Sequence, residues 1–219
     1  MAISSSATDR RVEWAYTEEF PTEHQLLKDA RAESVRLGAV PVSPATASLL
    51  TLLAASTAAS NVLEIGTGAG VSTLALLDGM LPSSALTTVD IDRSRVQAAK
   101  SLIDQHRDVR KHRVRTITGD VADVLPRLSA GSYDLIFVDA GVEVCEYSAY
   151  QALALLKNGG LLILNNALNS GSVAQPAARD EITVALRRLI HDIAECTSDV
   201  HVSLVHAQQG IFLIYKKYQ

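Results

Sequence analysis

A chain of 219 residues, of which 47% are hydrophobic and 20% charged, is long enough to bury a sizeable core, and we expect one domain over residues 1–219. The formal net charge of -4 gives no electrostatic reason to expect a nucleic acid as partner. No apolar run reaches the roughly 18 residues that span a bilayer, which predicts no membrane partner. Two cysteines, Cys145 and Cys196, do not make a disulfide framework and favour a reducing, cytoplasmic location.

The N-terminal part is predicted to add helices ahead of the core. Residues 1–17 are predicted to form a flexible tip, and residues 18–58 should contain two helices. Thr22 is a plausible N-cap of the first, which should run from Glu23 to Leu37. Ser43-Pro44 places an N-cap ahead of a proline at the first helical position, and this predicts the second helix.

From residue 59 to residue 219, strands and helices alternate, which indicates a parallel sheet flanked by helices. Only a short turn separates the last two strands, so they should form an antiparallel hairpin. The fold class is therefore α/β, a Rossmann-like doubly wound sheet of about seven mostly parallel strands with a C-terminal antiparallel hairpin and N-terminal extra helices. The predicted strands are 61–65, 85–90, 114–118, 133–139, 161–165, 200–206 and 211–215, and Asn158-Gly159-Gly160 is predicted to end the helix before the fifth of them.

The first of these strands runs into a loop with glycine at every second position. Gly66, Gly68 and Gly70 permit backbone angles and a close approach of a ligand that a β-carbon would forbid. The helix predicted from Ser72 to Leu81 would direct its free N–H groups at whatever lies over the loop. We interpret this stretch as a nucleotide cradle, the alternative being a tight turn without a ligand.

Carboxylates follow the predicted strands at the edge where ligands bind in doubly wound sheets: Glu64, Asp90, Asp120 and Asp139. Asp90 lies 20 residues after Gly70, a separation that suits hydrogen bonds to the hydroxyls of a bound ribose. The alternative is a capping role, because either Asp90 or Asp92 could cap the helix that begins near Arg93.

The glycine spacing argues against a dinucleotide, whose fingerprint places the third glycine three residues after the second, where this chain has Val71. With the acidic strand ends and the terminal hairpin, the pattern resembles class I S-adenosylmethionine-dependent methyltransferases. Pro41-Val42-Ser43-Pro44, the segment 62–73 and the segment 139–160 resemble the catechol and caffeoyl-coenzyme A O-methyltransferase family, in its actinobacterial branch.

The resemblance implies a cofactor site, residue by residue. In similar proteins the methionine part of S-adenosyl-L-methionine is surrounded by the residues matching Glu64, Gly66, Thr67, Gly68 and Ser72, while Val42 closes over it. The same resemblance implies that Asp90 and Ile91 hold the ribose and that Asp120 and Val121 border the adenine. It also implies a homodimer and a small-molecule acceptor.

The acceptor side departs from the family. Metal-dependent members resemble one another in holding a divalent cation with an Asp after the fourth strand and an Asp-Asn pair after the fifth, but this chain has Asp139 and then Asn165-Asn166. The loss of one carboxylate makes a divalent metal doubtful, so we predict no metal ligands. The family's lysine near the acceptor hydroxyl is replaced by Val142, which leaves Asp139 as the candidate base or acceptor-binding residue, against a structural role.

Three functions compete at this point. The favoured one is an O-methyltransferase that acts on a small molecule without a metal. The second is an S-adenosylmethionine-binding regulatory or interaction protein that has lost the transfer chemistry, and the third is an NAD-dependent oxidoreductase. A basic run from His106 to Arg115 lacks interleaved aromatic residues, so we interpret it as a solvated connection rather than a nucleic-acid surface.

Overall fold

The computed structural model describes residues 7–106 and 111–218, so part of the predicted N-terminal tip and residues 107–110 of the basic run lie outside the described residues. The helices are α1 (Ala7–Glu19), α2 (Gln25–Arg36), α3 (Pro44–Ser56), α4 (Val71–Gly79), α5 (Arg93–Ile103), α6 (Val121–Val124), α7 (Val142–Leu155) and α8 (Glu181–Glu195). The strands are β1 (Asn61–Ile65), β2 (Ala85–Asp90), β3 (Arg113–Thr118), β4 (Tyr133–Val138), β5 (Leu156–Leu164), β6 (Val200–Val205) and β7 (Ile211–Lys216). Short 3₁₀ segments lie at Leu125–Arg127 and Asn169–Ala174.

The seven described strands form one sheet in the order β3-β2-β1-β4-β5-β7-β6, and the predicted mostly parallel sheet with a C-terminal antiparallel hairpin is confirmed. The five strands from β3 to β5 are parallel, whereas β7 runs antiparallel to both β5 and β6. Chain order reverses between β1 and β4, because β2 and β3 lie on one side of β1 and the later strands on the other. Such a switch point is where open α/β sheets bind ligands, beyond the carboxyl ends of the strands.

Both faces of the sheet are covered by buried apolar side chains. One cluster joins β1 and β4 to helices α2 to α5 and includes Leu50, Leu74 and Phe137. The other joins the opposite face to α7 and α8 and includes Ile136, Leu189 and Phe212. Burial on both faces explains why the central strands are continuous apolar runs. No helix among the described residues is long and apolar enough to cross a membrane.

The start of α2 differs from the prediction. The N-cap is His24, not Thr22, and the ring Nδ1 of His24 accepts from the backbone N of Leu27 at 3.4 Å. The same ring contacts Asp78 at the end of α4, with 2.8 Å between Nε2 and Oδ2. A tertiary contact with a residue 54 positions away therefore decides where this helix begins.

Two further elements depart from the predictions. Helix α1 covers most of the segment predicted as a flexible tip, and its Glu18 accepts a hydrogen bond from the backbone N of Gln208 at 2.7 Å. The segment Asn158-Gly159-Gly160 lies within β5 rather than after a helix, because β5 begins at Leu156. Its register against β4 shifts between Tyr133 and Leu135, so the glycines belong to a strand irregularity.

Candidate cofactor and acceptor site

The glycine loop lies between β1 and α4 at the switch point. All three glycines have positive φ, +103° at Gly66, +51° at Gly68 and +97° at Gly70, as the spacing predicts. A β-carbon on Gly66 would lie 2.5 Å from the backbone O of Asp139, and one on Gly70 would lie 3.2 Å from Cβ of Ala99. A β-carbon on Gly68 would meet no atom within 4 Å, so packing requires glycine at positions 66 and 70, whereas at position 68 the positive φ favours it.

The structure separates the two roles open to Asp90. Asp92 is the N-cap of α5, since its Oδ1 accepts from the backbone N of Ser94 at 2.8 Å and of Arg95 at 3.2 Å. Asp90 instead accepts from the backbone N of Gly68 at 2.8 Å through Oδ2 and of Asp92 at 2.9 Å through Oδ1. A carboxylate oxygen can accept two hydrogen bonds, so both oxygens of Asp90 keep acceptor capacity for a ligand.

Two adjoining pockets, of about 210 Å³ and 190 Å³, lie over the loop and the strand ends. The first is bounded by the glycine loop, by Ser72 and by the segment 39–42, and the second by Ile91, Asp120 and Val121. Ten of the eleven predicted site residues line one or both pockets: Val42, Gly66, Thr67, Gly68, Ser72, Asp90, Ile91, Asp120, Val121 and Asp139. Residues predicted to contact the two ends of one cofactor thus share a continuous site.

Glu64 is the exception, because it lines neither pocket and its side chain is fully buried. Its Oε2 accepts from the hydroxyls of Thr73 at 2.5 Å and Thr88 at 2.6 Å, while no hydrogen-bond partner contacts Oε1. Burial raises the pKa of Glu64 to about 7, against the lowering effect of hydrogen bonds from Ser72, Thr73 and Thr88. Glu64 therefore lies beneath the glycine loop, in contact with Thr73 in the first turn of α4.

Val42 is held from both sides. Its backbone O accepts from Nη1 of Arg31 at 2.5 Å, and Arg31 in turn pairs with Glu23. The backbone N of the next residue, Ser43, donates to Oε1 of Gln208 at 2.9 Å. The segment over the first pocket is therefore anchored to α2 and to the turn between β6 and β7.

The structure brings Asp139, Asn165 and Asn166 together at the ends of β4 and β5. The side-chain Nδ2 atoms of Asn165 and Asn166 both donate to Oδ1 of Asp139, at 2.9 Å and 3.1 Å. Burial raises the pKa of Asp139 to about 7; the hydrogen bond from Asn165 lowers it and the charge of Asp90 raises it. The result is a carboxyl group beside the cavity that takes up or releases a proton near neutral pH.

This arrangement offers fewer charged oxygen ligands than a divalent metal prefers. Mg²⁺ and Ca²⁺ prefer several oxygen ligands, usually carboxylates, whereas the two amides here direct N–H groups at the single carboxylate. The set of one carboxylate and two amides is therefore the reason to expect no divalent metal here.

A larger cavity of about 920 Å³ shares no lining residue with these two pockets. It is bounded by α1 with Trp14, by residues 168–171 after β5, and by His206 and Gln208 near the β6–β7 turn. The sequence did not identify these residues, nor Arg95 and Ser34, which line the first pocket. No local motif marks them, because their place depends on contacts between distant segments.

Comparisons with known proteins agree with this geometry. The sequence matches the model of the O-methyltransferase family over residues 17–217. A probable O-methyltransferase of Mycobacterium tuberculosis is 38% identical over 183 residues, which cover 83% of this chain and 81% of the relative.

Solved structures share the fold. The O-methyltransferase TomG from Streptomyces achromogenes, solved in complex with SAM, has a TM-score of 0.82 at 24% identity, with 98% of this chain and 100% of that chain covered. An O-methyltransferase from Bacillus cereus, solved in complex with SAH, has a TM-score of 0.80 at 23% identity, with 94% and 97% covered. The family match covers nearly the whole chain, and the chain therefore belongs to the O-methyltransferase family.

Proposed function

We propose that this O-methyltransferase moves the methyl group of S-adenosyl-L-methionine to an oxygen of a small-molecule acceptor without a divalent metal. The observation that carries the proposal is the pair of amides donating to Asp139 beside the cofactor cavity. Family membership supports methyl transfer over the regulatory-protein and oxidoreductase alternatives.

The residues around the cavity suit the cofactor. Ser72 and the free N–H groups at the start of α4 would hold its carboxylate, and Asp90 would accept from the ribose hydroxyls. Ile91, whose side chain is 71% exposed, offers an apolar surface for the adenine next to Asp120 and Val121. The cofactor supplies an electrophilic methyl group on a sulfonium centre, so the protein has to position the acceptor and remove its proton.

Asp139 is the proposed proton acceptor. The amides of Asn165 and Asn166 occupy Oδ1, so Oδ2 is the oxygen available to an acceptor hydroxyl. A base with a pKa near the operating pH is effective in general base catalysis, and Asp139 has a pKa of about 7. The acceptor would be an acidic hydroxyl or a carboxylic acid, entering through the cavity beside Trp14.

Turnover by the chelator-treated enzyme tests the metal-free part. We expect methylation within a panel of phenols, catechols and carboxylic acids at rates that neither EDTA nor added Mg²⁺ changes. Asp139→Asn should abolish turnover and leave the affinity for S-adenosylhomocysteine in place, while the exposed Asp123→Asn is the matched control. Activity that disappears with the chelator and returns with Mg²⁺ would overturn the metal-free mechanism.

A homodimer is also proposed. Tyr16 and Phe20, on and just after α1, are 66% and 72% exposed with ring centroids 6.0 Å apart, and this exposed aromatic pair suits a contact with a second copy. Light scattering on the purified chain would detect the dimer mass, and a monomer at micromolar concentration would contradict it. The cytoplasmic location and the absence of nucleic-acid and membrane partners stay predictions.

A further inference from the structure

Arg95 lies where the two pockets of the cofactor cavity meet. Six residues line both pockets, and Arg95 and Asp90 are among them. If the first pocket holds the methionine part and the second the adenine, as proposed above, then the ribose that joins them must occupy this junction. Asp90 at the end of β2 and Arg95 on α5 therefore both line the place that the ribose would take.

Among the described residues, the guanidinium group of Arg95 makes only long contacts. Its Nε is buried and has no hydrogen-bond partner in the structure, although Oδ2 of Asp92 lies 3.5 Å away as an ion-pair contact. On the other side of the cavity mouth, Nη2 reaches the backbone O of Gly38 at a long 3.5 Å. Nε is closed off beside Asp92, whereas the long contact of Nη2 is easily exchanged, so Nη2 is the donor suited to an oxygen supplied by a ligand.

The ribose hydroxyls need both kinds of partner, because each hydroxyl donates one hydrogen bond and accepts others. Asp90 can only accept when it is ionised, and it already binds two backbone N–H groups. Arg95 can only donate, and it is the one cationic side chain among the described residues that line the two pockets. The two side chains are thus complementary toward a diol.

We propose that Arg95 is a second ribose-binding residue, donating to a ribose hydroxyl oxygen while Asp90 accepts from the hydroxyl protons. This inference rests on the proposed cofactor. The residue proposed to recognise the intact diol, together with Asp90, lies in the first turn of α5. The affinity for deoxyribose analogues should therefore depend on position 95.

Calorimetry on the full chain tests the proposal with S-adenosylhomocysteine and with its 2′-deoxy and 3′-deoxy analogues. Arg95→Met should weaken binding of S-adenosylhomocysteine by about tenfold to a hundredfold, the range expected for a hydrogen bond from a charged donor. The deoxy analogue that lacks the hydroxyl contacted by Arg95 should bind the wild type more weakly than S-adenosylhomocysteine does. Arg95→Met should bind this analogue and S-adenosylhomocysteine with similar affinity. Arg95→Lys should retain part of the affinity, because it keeps a positive donor without the planar fork.

Arg93→Met is the matched control, since Arg93 lies in the same helical turn, is exposed and lines neither pocket. Unchanged affinity in Arg95→Met would overturn the proposal. An equal loss for S-adenosylhomocysteine and both deoxy analogues would overturn it as well, because Arg95 would then act through another part of the cofactor or through the fold. Failure of the wild type to bind S-adenosylhomocysteine would instead refute the proposed function itself.

Discussion

Restoring the carboxylate that the family places after the fifth strand should convert the acceptor side into a metal site. In Asn165→Asp, the amide that donates to Asp139 at 2.9 Å is replaced by a second carboxylate at a similar separation. Asn166, which lies 3.1 Å from Asp139 through its Nδ2, would turn its amide oxygen to the cation and complete an Asp-Asp-Asn set. We expect this variant to be unstable without metal and to gain stability from Mg²⁺.

The size of the destabilisation in Asn165→Asp follows from the lost hydrogen bond to Asp139 and from the repulsion between the two carboxylates. A hydrogen bond to a charged group contributes about 1.5–3 kcal/mol, and two close carboxylates share a proton because one of the two pKa values rises strongly. At pH 8, where sharing a proton becomes unfavourable, we expect a destabilisation of about 2–4 kcal/mol, or roughly 5–15 °C in Tm for a domain of this size. Mg²⁺ at about 100 times its Kd would restore about 2.7 kcal/mol.

Thermal unfolding at pH 6 and pH 8, each with EDTA and with Mg²⁺, measures these effects. The destabilisation should be larger at pH 8, and Mg²⁺ should raise the Tm of Asn165→Asp but not that of the wild type. Asn158→Asp is the matched control, since it adds the same charge at an exposed position. Equal stabilisation of wild type and Asn165→Asp by Mg²⁺ would refute the expectation that the native triad binds no divalent metal.

Three further predictions concern the cofactor side. Asp90→Ala should weaken S-adenosylhomocysteine binding by about tenfold or more in calorimetry, because the ribose loses its charged acceptor; unchanged affinity would remove the ribose assignment. S-adenosylmethionine should bind more tightly at pH 8 than at pH 6, because Asp139 and Glu64, each with a pKa of about 7, lose their protons over this range and favour the sulfonium charge. S-adenosylhomocysteine lacks that charge, so equal pH dependence for the two ligands would contradict this reasoning. Thr88→Val removes a donor to the buried Glu64, so it should lower the unfolding free energy in urea titrations by about 1–3 kcal/mol. The exposed Thr118→Val is the control and should have little effect. A normal stability for Thr88→Val would show that Glu64 does not depend on this hydrogen bond.

The same two carboxyl groups set the sign of the pH dependence of folding. Their folded-state pKa values, about 7, lie above the ordinary values of 4.5 for Glu64 and 3.8 for Asp139. The folded chain therefore binds more protons than the unfolded chain between about pH 4 and pH 7. Their contribution to stability is fully present below the ordinary values and is lost as pH rises through about 7.

Local chemistry explains which parts of the fold could be predicted from the sequence. The positive φ angles of the glycine loop and the N-cap at Ser43 depend on residues within a few positions, and both predictions are confirmed. The start of α2 at His24 could not be predicted in this way, because Asp78 holds the cap from another helix. The prediction that Gly159 and Gly160 end a helix is wrong for a different reason: a helix end and a strand irregularity both favour glycine.

Within the site, sequence reasoning identified the chemical groups better than their partners. The acids at the strand ends were found because parallel strands bring their carboxyl ends to one edge. Whether each acid faces a ligand is a matter of its neighbours: Thr73 and Thr88 hold Glu64 behind the loop, whereas Asp92 caps α5 and leaves Asp90 at the cavity. The proposed role of Arg95 depends on a pocket that it shares with the segment 39–42, more than 50 residues earlier in the chain.

One difference in hydrogen-bonding chemistry, between Asp and Asn at position 165, explains the arrangement around Asp139. A carboxylate after the fifth strand would present only acceptors to Asp139, and a cation would be needed between them. The amide of Asn165 presents a donor instead, so Asp139 is held in place by two N–H groups while its other oxygen stays available for a proton. In the proposed mechanism, the change from Asp to Asn therefore preorganises a base, and methyl transfer would proceed without the family's metal ligand.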